Sequence, residues 1–402
     1  MTTFTLTRRS LLGAAAATVL FPYADATAQA RRRTARVAGP RAVSLSAAFD
    51  QAANAVLSGT PRRGTQPAEL VIDPLVDGAS GAQTMATRAV GRQFEKLIAA
   101  RYADRFVVRP FTRETLARKP LVFIGTFTPV ASSPGTNAAK DSYRVWFSML
   151  DLESRKIVSK AQARALPEGV DARPVPAFAE APAWVPDTAI SGYVDTCQTT
   201  KVGDAIKPAY VERMDAAALV AEAIAAFDGN RYEAALEHYT QARAIAGGDQ
   251  LRVLNGLYLT NRKLARTQAA EAAFRDLVDF GLASGKLSLM MLFQPGTTEF
   301  VTGNTSAEYQ LWLATVAARA KTKAKCLSLV GHASHTGSER FNDRLSLSRA
   351  DTIKGLLATQ APDIGTRIAT RGAGWHENII GTGRDDDTDA LDRRVEFKVG
   401  AC

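Results

Sequence analysis

The chain has 402 residues, 46% hydrophobic and 22% charged, with a formal net charge of +10. That length exceeds one ordinary core and points to two or three domains, and the near-average composition excludes a disordered chain. The positive charge is dispersed, which argues against nucleic acid as a partner; it suits contact with anionic polymers, and equally a generic basic surface.

Residues 1–30 read as an address. Thr7-Arg8-Arg9-Ser10-Leu11-Leu12 sets an arginine pair ahead of a short apolar run ending near Phe21, and Ala28-Gln29-Ala30 offers the small residues a signal peptidase reads. The run falls short of the ~20 apolar residues a spanning helix needs. It resembles a twin-arginine signal, which implies export of a folded protein; a chance arginine pair in an ordinary secretory signal is the alternative. Cleavage after Ala30 would remove Arg8, Arg9 and Asp25 and leave a charge of +9. No cysteine near that point suggests a lipid anchor, and no later segment is long and apolar enough to span a bilayer. A periplasmic protein is expected, associated with the cell wall or outer membrane. Three cysteines remain: Cys197, Cys326 and Cys402. An oxidising compartment permits one disulfide and leaves one thiol. All three pairings stay open, Cys326–Cys402 among them because each lies beside a predicted strand.

Residues 31–44 are a flexible lead-in, and residues 45–210 alternate helical and extended patterns. Leu45 to Leu57 and Met85 to Tyr102 have helical spacing; Glu69 to Asp73, Phe106 to Val108, Leu121 to Gly125, Tyr143 to Leu150 and Ile157 to Ala161 read as strands. This is an α/β domain with a mostly antiparallel second half. The Phe123-Ile124-Gly125-Thr126-Phe127 strand and the Leu150-Asp151 to Ile157-Val158 hairpin resemble envelope lipoprotein domains of the curli-secretion and penicillin-binding-protein-activator type. The resemblance implies protein–protein contact rather than catalysis. Pro167 to Asp187 reads as an extended connection.

Residues 211–283 are almost purely helical in pattern. Ala235-x-x-x-Tyr239 and Ala270-x-x-x-Phe274 recur 35 residues apart, a spacing of small and large residues that resembles tetratricopeptide repeats. A plain four-helix bundle is the alternative. Either would offer a helical surface to envelope proteins.

Residues 287–402 predict a βαβαββ order: a strand at Leu289 to Phe293, a helix at Tyr309 to Ala320, a strand at Cys326 to Val330, a helix from Leu345-Ser346, then strands at Arg367 to Ala369 and Val395 to Val399. The motifs here resemble the OmpA-like family pattern G-H-T-D-x-x-G-x-x-x-x-N-x-x-L-S-x-x-R-A. Gly331, His332, Gly337, Asn342, Leu345, Ser346, Arg349 and Ala350 fall in register with it. Arg367-Ile368, Gly372-x-Gly374, Gly383-Arg384 and Arg393-Arg394-Val395-Glu396 continue the match, with Asp392 where asparagine is usual. The whole chain is thus expected to be an N-terminal α/β domain, a central all-α helical-repeat region and a C-terminal α+β sandwich.

The resemblance implies non-covalent binding of peptidoglycan through its diaminopimelate side chain. That ligand presents an ammonium and a carboxylate, so a site needs a fixed cation, a fixed anion and amides. Arg349 suits the carboxylate through its planar fork. Asn342 orients the ligand or braces the loop, and the Thr336-Gly337 backbone offers donors. His332, Gln294 and Arg393 support them. The family's usual aspartate, fifteen residues ahead of Arg349, is Ser334 here. A serine accepts from an ammonium without charge; charged partners add about 1.5–3 kcal/mol against roughly 1 for a neutral bond, so affinity would fall tenfold or more. Glu299, Glu339 and the Asp385-Asp386-Asp387 run are candidate substitutes, the last being more simply a solvated loop. His332, His335 and His376 invite a metal reading, but no cysteine or paired carboxylate stands near them in sequence, and no metal is expected. Trp375 reads as packing. No cofactor or catalytic motif is found, and the chain is expected not to be an enzyme.

Overall fold

In the N-terminal region, helices grow from polar caps and strands from β-branched and aromatic runs. Helix α1 (Leu45–Gly59) begins where Ser44 accepts the Ala47 amide at 3.3 Å, and α2 (Met85–Arg101) begins at a Thr84/Thr87 capping box. Strands β1 (Ala68–Ile72), β2 (Val76–Asp77), β3 (Phe106–Arg109), β4 (Leu121–Val130), β5 (Ser142–Asp151) and β6 (Lys156–Ala165) form one sheet of order β3-β1-β4-β5-β6, with β2 beside β4. The β1 pairings are parallel and the β4-β5-β6 meander is antiparallel. The computed structural model describes residues 41–131, 140–183, 185–301, 308–381, 383 and 387–402. The expected signal segment lies outside them, as does all but the last few residues of the lead-in.

Both faces of this sheet are covered. Phe49, Val56, Phe94, Phe123 and Phe147 fill the side under α1 and α2, where the Phe94 and Phe123 rings stack 3.6 Å apart. The other side packs on α3 (Arg113–Ala117) and, past the short α4 (Pro176–Ala179), on α5 (Thr188–Gln198) and α6 (Pro208–Val211). Sequence periodicity did not mark α5 as a helix, because eleven residues with apolar Ile190, Tyr193 and Cys197 are short for a periodic signal. Asp187 caps it, accepting from Ile190 at 3.0 Å. Its other oxygen accepts from Leu251 at 2.7 Å, at the start of α9 (Leu251–Lys263).

Two helix hairpins follow, α7 (Met214–Asp228) with α8 (Tyr232–Ala244), and α9 with α10 (Thr267–Ser284). Ala235, Tyr239, Ala270 and Phe274 are all buried. Gly256 lets Tyr239 lie flat on α9, since a Cβ there would stand 2.1 Å from the ring. Helix α10 ends on left-handed Gly285 and leads straight into β7 (Lys286–Leu289).

The C-terminal sheet has the order β7-β10-β8-β9, formed with β8 (Lys325–Gly331), β9 (Ile368–Gly372) and β10 (Val395–Ala401). β8 and β9 are parallel, and β10 runs antiparallel to β7 and β8. With α11 (Tyr309–Thr322) and α12 (Glu339–Gln360) between strands the order is βαβαββ; α13 (Pro362–Gly365) is an extra turn. The first strand lies earlier than the apolar run Leu289 to Phe293: Met290 already bonds Pro182 O at 2.8 Å, and the chain then leaves the sheet. The helical region and this sheet share a core, in which Trp312 stacks on Phe274 at 5.6 Å and donates to Tyr258 Oη at 2.8 Å. Cys326 and Cys402 form the disulfide, joining β8 to the end of β10, and Cys197 is a buried free thiol that burial pushes up to about 11.

Candidate functional site

Helix α12 begins six residues earlier than its apolar spacing suggested. Ser338 caps it through the Phe341 amide at 3.3 Å, so Asn342 sits in its first turn and Arg349 near its middle. The early turns, Glu339 to Arg344, are mostly polar, which is why periodicity missed them. Two glycines let this helix lie against the sheet ends. A Cβ at Gly331 would stand 1.9 Å from Ser346 O, and one at Gly372 2.6 Å from Asp343 O. Ser346 Oγ then bridges helix and loop, donating to Asp343 O at 2.9 Å and accepting from Gly374 N at 2.9 Å.

That close approach carries Arg349 into the protein. The side chain is 1% exposed, and its guanidinium lies 5.1 Å from the Phe293 ring centre. Nε donates to Thr297 O at 3.0 Å, Nη1 to His332 O at 3.1 Å and Nη2 to Gln294 O at 3.1 Å. Gln294 and His332, expected as supporting residues, meet Arg349 through their main-chain carbonyls. Sequence reasoning missed Phe293 and Thr297, which carry no chemistry visible without the fold.

The loop after β8 is organised separately. Asn342 Nδ2 donates to Thr336 O and, at 3.3 Å, to Ser338 O, so this amide braces the loop. Thr336 N is engaged by Ser334 O at 2.9 Å, which removes it as a donor to a ligand; Ser334 Oγ lies 3.5 Å from Thr336 Oγ1. Gly337 has φ +77, a conformation suited to glycine. Ser334 is 5% exposed.

The proposed substitute acids do not gather at Arg349. Glu339 faces His376, with Oε1 3.3 Å from Nε2, and Asp343 approaches the same nitrogen at 3.6 Å. Glu299 is exposed, and the side chains of the Asp385-Asp386-Asp387 run lie outside the described residues. Trp375 packs against His335, ring centres 4.4 Å apart.

Around the expected Arg393, its neighbours Asp392 and Arg394 tie the start of the last strand to the loop before it. Asp392 accepts the amides of Ile379 at 2.7 Å, Ile380 at 3.0 Å and Gly381 at 2.6 Å; burial pushes its carboxyl up while those amides oppose the shift. Its neighbour Arg393 is buried. Arg394 Nε donates to Glu396 Oε1 at 2.9 Å and Nη2 to Glu377 O at 3.2 Å. From the segment just ahead of β5, Lys140 Nζ reaches the carbonyls of Asn378 at 2.7 Å and Ile379 at 3.1 Å, so the N-terminal region touches the C-terminal domain at this loop.

With this geometry in view, residues 292–390 match the OmpA family model, which places an OmpA-family domain at the C-terminal sheet. Outer membrane protein Omp38 of Acinetobacter baumannii is 34% identical over 65 residues, 16% of this chain and 18% of that protein. The chain thus spans under a fifth of the curated relatives it matches. Among solved structures, the peptidoglycan-associated lipoprotein of Burkholderia pseudomallei is 18% identical, covering 27% of this chain and 88% of that one, with a TM-score of 0.24. The OmpA-like domain of Francisella tularensis FopA1 is 19% identical over 28% and 70%, also at 0.24. The periplasmic domain of Helicobacter pylori MotB is 16% identical over 29% and 74%, at 0.23. No helix among the described residues is long and apolar enough to cross a membrane.

Proposed function

We propose that this is a non-catalytic, periplasmic envelope protein that holds peptidoglycan without a covalent bond, through diaminopimelate at the mouth formed by Arg349, Asn342 and the Ser334–Gly337 loop. The observation that carries this reading is the framing of Arg349. Three separate carbonyls and an aromatic ring fix its guanidinium in one orientation beside a loop that Asn342 holds closed. A carboxylate reaches this buried guanidinium only by replacing carbonyl partners, and the planar fork then offers it two parallel donors. The helix hairpins from Met214 to Ser284 are the tetratricopeptide-like surface for envelope partners, with α8 presenting its polar face outward, and the N-terminal α/β region supplies further protein contact. Export follows the twin-arginine-like segment.

Ser334 favours a second reading, a protein-binding scaffold whose OmpA-like domain has lost the wall ligand. Sedimentation of the full chain with purified sacculi separates the two. Wild type should co-sediment, Asn342→Ala should weaken this severalfold with its circular dichroism unchanged, and Ser334→Asp should strengthen it about tenfold. A wild type that stays in the supernatant while Ser334→Asp sediments establishes the scaffold reading.

A further inference from the structure

We propose that His332, Glu377 and Glu396 form a site for one divalent transition-metal ion, of which zinc is the natural probe, at the end of the C-terminal sheet. His332 leaves β8 pointing into the protein and is fully buried, yet neither Nδ1 nor Nε2 has a hydrogen-bond partner among the described residues. Buried polar atoms without partners cost free energy and ask for an explanation. Glu396 Oε2 stands 3.7 Å from Nε2, an electrostatic contact too long for an ordinary hydrogen bond. Glu377 completes the group, and one ligand atom from each residue lies within 4.8 Å of the others. Metal–ligand bonds of about 2.0–2.2 Å require these atoms to close on one another by a small side-chain movement. Glu377 and Glu396 are partly exposed and have room for it, with side chains 41% and 23% accessible.

The surroundings prepare the ligands. Burial, then Arg394, lowers the proton affinity of His332, so its imidazole is neutral and able to coordinate. Arg394 holds Glu396 by Oε1 and leaves Oε2 toward the histidine, while Arg371 Nη2 holds Glu377 Oε1 at 2.8 Å. Burial favours the protonated carboxyls, but His332 and then Arg394 beside Glu396, and Arg371 beside Glu377, outweigh it, and both acids sit below the usual carboxylate range. A neutral imidazole with two ionised, externally braced carboxylates is a ligand set for zinc, copper or nickel rather than magnesium or calcium. The two guanidiniums, with Lys398 near Glu377, offset the negative charge and limit the affinity. The sequence concealed this group because its members lie 45 and 64 residues beyond His332.

Isothermal titration of the full chain with zinc chloride tests the proposal. The expected result is one ion per chain that excess magnesium does not displace, with a rise in melting temperature. Glu377→Gln, on an exposed loop, should weaken binding at least tenfold, and His332→Gln should abolish it. The exposed Glu339–Asp343–His376 cluster is the competing site, so His376→Ala serves as the control and should leave the titration unchanged. Absence of zinc binding overturns the proposal. So does a titration that survives Glu377→Gln and disappears with His376→Ala.

Discussion

The two sheets bury charge in different ways. In the N-terminal sheet the acid at the end of β1, Asp73, is 3% exposed and meets a neutral partner, the Tyr210 hydroxyl, at 2.7 Å. Burial dominates there and pushes its carboxyl up to about 6, while the tyrosine bond and Arg252 oppose the shift. In the C-terminal sheet Arg349, Asp392, Arg394 and Glu396 collect at one set of strand ends, each linked to carbonyls, amides or an opposite charge. An acid such as Asp73 with a hydroxyl for company is a feature of packing, and so is Asp77 of β2, which accepts the amides of Ala79 and Ser80 in its own turn. Several ionic groups aimed at the same loops are a feature of a site, since only there does each group fix the geometry of the next.

The largest expected effect lies in the C-terminal half. Replacing Arg349 with methionine fills much of its volume but leaves the carbonyls of Gln294, Thr297 and His332 without this donor. Bonds from a charged donor and the desolvation of carbonyls left behind give a loss of roughly 3 kcal/mol or more. Urea unfolding followed by fluorescence measures it. A loss below about 1 kcal/mol would mean that the arginine is held for a ligand alone and contributes little to the frame.

The N-terminal sheet predicts the opposite sign. Asp73 has a folded pKa of about 6 against an ordinary 3.8, so the folded state prefers it protonated. Its cost is absent below about pH 4, grows as pH rises through 6, and is complete at pH 7. Asp73→Asn keeps an oxygen for Tyr210 and removes the charge, so it should stabilise the chain at pH 7 by up to roughly 2–3 kcal/mol. The wild-type-minus-variant difference should vanish near pH 4. Urea midpoints for both proteins between pH 4 and 8 give this curve, and a flat difference would show that the buried acid does not set the pH dependence.

The same contrast explains what could be read from the chain. The C-terminal βαβαββ order was legible because Leu327 to Val330, Ala350 to Leu357 and Val395 to Val399 carry clean apolar periods, and the fixed glycines mark the points where helix meets sheet. The pairing of Cys326 with Cys402 was not, since only the β8-β10 register brings Gly400 opposite Cys326. Arg349 and Asn342 could be singled out because they fall in register with the OmpA-like pattern. Their partners could not: Thr297 and Gln294 act through carbonyls, which every residue possesses. The start of α12 was hidden by a polar first turn. That same turn places Asn342 where it braces the loop rather than facing a ligand alone.

The smallest effect concerns the join between helix α12 and the loops it supports. Ser346 is fully buried, and its hydroxyl links the α12 backbone at Asp343 O to the β9 loop at Gly374 N. Alanine fits the space, because Gly331 and Gly372 already set the approach of helix to sheet. The variant therefore loses one donor and one acceptor contact without opening a large cavity, and about 1 kcal/mol of stability should go with them. The more telling measurement is local. Amide exchange at Gly374 should quicken in Ser346→Ala, whereas exchange in β4 and β5 should keep its wild-type ranking. If the whole molecule loosened equally, the C-terminal mouth would be no separate network, and the distinction between clustered and solitary buried charge would lose its physical basis.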